Sequence, residues 1–83
     1  MTKINRIGLI RLTPSKTIMH RAYEDRTMWV KSDVPVSLTL HGDQVIPVAI
    51  FPNKTKRVCV RSGVVVRLTS EHFGNVRIVI EEE

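Results

Sequence analysis

Between Lys54 and Ser70 the sequence KTKRVCVRSGVVVRLTS holds five basic side chains, no acidic one, and a lone cysteine between Arg57 and Arg61. Guanidinium groups at that density suit carboxylate or phosphate partners, because each presents a planar fork of donors that either anion accepts in pairs. The same cations favour the thiolate of Cys59. A nucleophilic thiol also needs a base, however, and no histidine adjoins it in sequence. Cys59 is therefore read as a small strand residue. His20, His41 and His72 stand far apart, with no two at a metal-ligand spacing such as H-x-x-x-H. Glu24 and Asp25 are neighbours, so on a strand they point to opposite faces and make no acid–base pair. No phosphate-cradling glycine loop, nucleophile elbow or dinucleotide fingerprint occurs. The expectation is a protein that is not an enzyme, with no catalytic, cofactor or metal residues.

Strands must position these arginines. VPVSLTLH alternates with period two, and KRVCVRS, VVVRLTS and NVRIVIE are rich in β-branched residues and separated by glycine-containing turns. A three-residue loop Arg61-Ser62-Gly63 sets Val60 opposite Val64 and gives Gly63 the left-handed backbone that such loops require. In that register Val58, Val66 and Ile78 face inward. If the last strands follow one another as a meander, Arg57, Arg67 and Arg77 share one outer surface, with Arg61 at its rim. None of the aromatic residues falls on this expected face. QVIPVAIF is apolar on both sides, and Pro47 removes a backbone donor, which points to an edge strand or a bulge.

Residues 1–33 are less regular. IGLIRL reads as an edge strand or arm ended by Thr13-Pro14-Ser15, and RTMWVKS as a short strand. The domain reading is a single folding unit: an N-terminal arm or edge segment over residues 1–26, and an antiparallel β domain over 27–83. The fold class is all-β, a small antiparallel β-sandwich or partly open barrel. Ile7, Leu9, Ile10 and Leu12 are the apolar groups with which the arm would contact a neighbour.

Composition sets the remaining bounds. With 83 residues and a single cysteine, the chain has no internal disulfide. A domain of this size buries only roughly 60 % of the surface its unfolded chain exposes, so partner subunits are the available source of extra stability. The formal charge of +5 is spread along the chain, with Glu81-Glu82-Glu83 as an acidic tip complementary to the basic face. No apolar run reaches a membrane span, and the N-terminus lacks a signal-peptide core, so cytoplasmic synthesis is expected.

A small unstapled core, a partner-seeking arm and complementary charges resemble small β-sandwich accessory subunits of virus particles, such as capsid decoration or tail components. The expected function is a structural subunit that self-associates or docks on an acidic protein lattice through Arg57, Arg61, Arg67 and Arg77. The rival is a small β-barrel module that binds nucleic acid with the same arginines. The absence of aromatic platforms between them weighs against the rival.

Overall fold

The computed structural model describes the backbone of residues 3–82 and the side chains of residues 8–81. Its regular elements are all strands: β1 (Lys3–Leu12), β2 (Thr17–Arg21), β3 (Arg26–Ser32), β4 (Val36–His41), β5 (Val45–Ile50), β6 (Lys56–Val60), β7 (Val65–Thr69) and β8 (Gly74–Glu82). Alternation dictates them. In β3, for instance, Met28, Val30 and Ser32 are buried while Lys31 between them is exposed. No helix among the described residues is long and apolar enough to cross a membrane.

The strands form two four-stranded antiparallel sheets, one in the order β1-β8-β3-β6 and the other β2-β7-β4-β5. Four pairings are nested: β4 with β5, β3 with β6, β2 with β7 and β1 with β8. Two more, β3 with β8 and β4 with β7, complete the sheets. This is the strand order of a jelly roll, a long antiparallel double ribbon wrapped into a sandwich. The expected antiparallel β-sandwich is therefore what the chain forms.

Between the sheets lies the core. Leu12, Met28, Val30, Leu38, Val66, Leu68, Val76 and Ile78 are almost or fully inaccessible, and Val36, Ile50, Val58, Val60 and Ile80 complete the packing. The inward parity of Val58, Val66 and Ile78 is as the sequence predicts. The meander is not. β6 and β8 lie in the first sheet on either side of β3, whereas β7 lies in the second. Val60 consequently does not pair with Val64. It stands opposite Arg26 on β3.

The turn at Ser62-Gly63 has the predicted local chemistry and a different task. Gly63 has φ of 86°, and the Val64 N–H donates to the Arg61 carbonyl at 3.1 Å. That is a β-turn with the positive φ at its third residue, as in type II. It carries the chain across from one sheet to the other. Pro52-Asn53 makes a similar turn, with Asn53 at φ 61° and the Lys54 N–H donating to the Phe51 carbonyl. The β4–β5 hairpin uses a three-residue loop, Gly42-Asp43-Gln44, which pairs Leu38 with Val48 and Val36 with Ile50. Pro47 then faces out on an edge strand, where its missing donor breaks no ladder bond.

Buried hydroxyls tie one end of the sandwich. Ser32 donates to the Asn75 carbonyl and accepts from the Val34 N–H, both at 3.2 Å. Ser70 donates to the Pro35 carbonyl at 2.8 Å and accepts from the His72 N–H at 3.1 Å. At the other end the β2–β3 connection is bound to the sheet-crossing turn. Ala22 and Val64 share a backbone bond of 3.0 Å, and Ser62 N–H donates to Asp25 Oδ1 at 2.9 Å.

Candidate functional site

Two broad outer faces remain after the core is filled, and they differ in chemistry. On the first sheet the outward side chains are Leu9 and Arg11 from β1, then Asn75, Arg77, Val79 and Glu81 from β8. β3 adds Thr27, Trp29 and Lys31, and β6 adds Arg57 and Cys59. Register aligns them in rows across the strands. Leu9, Arg77 and Lys31 form one row; Val79, Trp29 and Arg57 form the next; Glu81, Thr27 and Cys59 form a third. Arg11, Arg77, Lys31 and Arg57 are all exposed, and among the described outward side chains each strand of the sheet supplies one cation. Glu81 is the one carboxylate among these described side chains.

Trp29 stands in the middle of that face. Its indole Nε1–H donates to Glu81 Oε2 at 3.2 Å, and the Arg57 guanidinium lies over the ring, 5.8 Å from its centroid. The cation is attracted to the negative face of the π system. An apolar cleft lined by Trp29, Thr55, Val79 and Glu81 opens beside the indole. The expectation that no aromatic lies among the basic groups is thus corrected. The signal was in β3 itself: Trp29 has the parity of Lys31, opposite to that of Met28 and Val30.

The second sheet presents a less charged surface. Its outward residues are Thr17, Met19 and Arg21 from β2, Val65, Arg67 and Thr69 from β7, Ser37, Thr39 and His41 from β4, and Val45, Pro47 and Ala49 from β5. Met19 is 65 % exposed and Val45 60 %. Two guanidiniums, Arg21 and Arg67, carry its formal charge, and His41 shares a 2.8 Å hydrogen bond with the Thr39 hydroxyl.

The four arginines predicted to form one contact surface are divided by this geometry. Arg57 and Arg77 lie on the first sheet, Arg67 on the opposite face of the molecule, and Arg61 in the turn between β6 and β7. Burial and twofold alternation set their outward parity, whereas the choice of partner strand separates them. The four apolar residues at the N-terminus also part company. Leu12 is fully buried in its own core and Ile10 packs against it, so neither projects toward a neighbour. Leu9 is 64 % exposed on the first sheet. The side chain of Ile7 lies outside the described residues, as do those of Glu82 and Glu83.

Cys59 is exposed and faces outward opposite Thr27. Among the described residues no three His, Cys, Asp or Glu side chains gather where they could hold a metal ion. Asp25 is engaged by the Ser62 backbone. No protein-family model matches the chain, and neither does any curated protein or solved structure.

Proposed function

We propose that the protein is a non-enzymatic structural subunit that self-associates through the outer face of its second sheet. The observation that carries the reading is that face itself. It carries Met19, Val45, Val65, Pro47 and Ala49 among short hydroxyls, with two formal charges, both arginines. Its apolar side chains gain by leaving water, while an isologous contact brings each residue against the same patch of a second copy. The first sheet is less suited to that contact, because each copy would bring four described outward cations to it, against two on the second sheet. Arg67, at the centre of the second sheet, gives an acidic partner or lattice a point of attachment. A jelly-roll sandwich of this size is compatible with the accessory role in virus particles that the sequence resembles, at the level of architecture alone.

Size-exclusion chromatography with light scattering, from micromolar to near-millimolar protein, tests the proposal. The expected result is a dimer or larger species that Ala49→Glu converts to monomer, with Arg57→Glu on the opposite face leaving it unchanged. A folded monomer across the whole range would sink it.

A further inference from the structure

We infer that the outer face of the first sheet binds single-stranded nucleic acid, with Trp29 as the stacking platform and Arg11, Arg77, Lys31 and Arg57 as phosphate contacts. This goes beyond the assembly reading and is independent of it, since it concerns the opposite face. Three features of the face carry the inference.

The first is the arrangement of charge. The four exposed cations make a diagonal stripe that crosses β1, β8, β3 and β6 in turn, one from each strand. Strand spacing and the two-residue repeat put successive members about 5–8 Å apart at their Cα positions. A backbone that carries one charge per nucleotide fits such a track, and releases counterions as it settles there. Lys31 and Arg77 stand directly opposite each other across β3 and β8. Like charges in that position destabilise a sheet, and no carboxylate stands in their row. A local conflict of this kind is expected where a surface is shaped for a ligand.

The second is Trp29. A large aromatic remains partly buried among cations, its Nε1–H held by Glu81. The neighbouring cleft, lined also by Val79, Thr55 and Glu81, leaves a mostly apolar surface open at the edge of the indole. Bases of any identity stack on an indole, and the Arg57 guanidinium adds its own planar surface. Glu81 repels phosphate, so the base belongs at the Trp29–Glu81 side and the backbone along the stripe.

The third is shape. Among the described residues nothing helical projects from the sheet to enter a duplex groove, which favours unpaired strands with accessible bases. An acidic protein would engage the cations and has no need of an indole beside them.

Trp29 is the sole tryptophan, so its fluorescence reports on this face alone. The test titrates the protein with oligo(dT) of twelve nucleotides, the same sequence as duplex, and polyglutamate. The inference expects quenching by the single strand, a dependence on salt with a log–log slope of about −2 to −3, and weak response to duplex. Arg57→Glu with Arg77→Glu should weaken binding about 100-fold, whereas Arg67→Glu should change it less than about twofold. Trp29→Phe, followed with labelled oligonucleotide, should retain most of the affinity and Trp29→Ala should lose about tenfold. No binding at low salt would overturn the inference. So would equal quenching by polyglutamate, which assigns the face to an acidic protein, or an equal loss on either face, which reduces it to general attraction by net charge.

Discussion

His20 shows how a single edge position carries a cost that depends on pH. It stands opposite Val66, on the inward side of β2, and its Nε2 is buried without a hydrogen-bond partner among the described residues. Burial, and then the positive charge of Arg26, hold its pKa below the usual imidazole value. The unfolded chain therefore binds the proton more readily, and stability falls as pH drops below about 6.5 toward the folded-state value. Thermal melts of the wild type should decline over that window, and His20→Gln should flatten the decline. A slope unchanged by the substitution would exclude His20 as its source. The neighbouring positions Val66 and Arg67 make a second residue-scale contrast. Val66→Asp puts an unpaired charge into the core and should abolish the cooperative melt. Arg67→Glu, on the outer side, should leave the circular dichroism spectrum unchanged and, in protein dilute enough to be monomeric, the melt within about 0.5 kcal/mol.

At the scale of the element, alternation was legible and adjacency was not. Val58, Val66 and Ile78 could be assigned inward because a strand's period of two is a local property. Which strand lies beside which depends on contacts tens of residues apart. The short Arg61-Ser62-Gly63 loop favoured a hairpin between β6 and β7, yet the same turn serves equally well to cross between sheets. Trp29 was missed as a neighbour of the basic groups because β3 was not placed beside β6 and β8, although its parity with Lys31 was available. The irregular β5 strand resolved once the loop was known to hold three residues, which turns Ile46, Val48 and Ile50 toward the core side. Two substitutions test the elements as built. A methyl at Gly74 would lie 2.6 Å from a Val34 methyl and would also meet Asp33 Oδ1, the acceptor for the Asn75 N–H. Gly74→Ala should cost about 1–3 kcal/mol, read as a lower denaturation midpoint. Lys31→Glu places a carboxylate opposite Arg77 and should raise the melting temperature by a few degrees. A lower one would mean the two cations are already compensated.

For the whole molecule, thinness is the governing fact. The principal extents are 35 × 28 × 17 Å, so the core is a single interleaved layer between two sheets. Most side chains lie on one of two broad surfaces, and stability drawn from the interior is modest for an unstapled chain. If the second sheet is covered by another copy, the melting temperature should rise with protein concentration, because association favours only the folded form. A melt independent of concentration would place the stabilising interactions entirely within one chain.

The nested ladder has a further consequence for how the chain comes into being. Every strand from β1 to β4 bonds only to strands from β5 to β8. The portion that leaves the ribosome first thus has no internal partner and must wait, extended, for its complement to emerge. Severed at the Asp43 turn, the two pieces would each be formless, yet mutually templating when mixed.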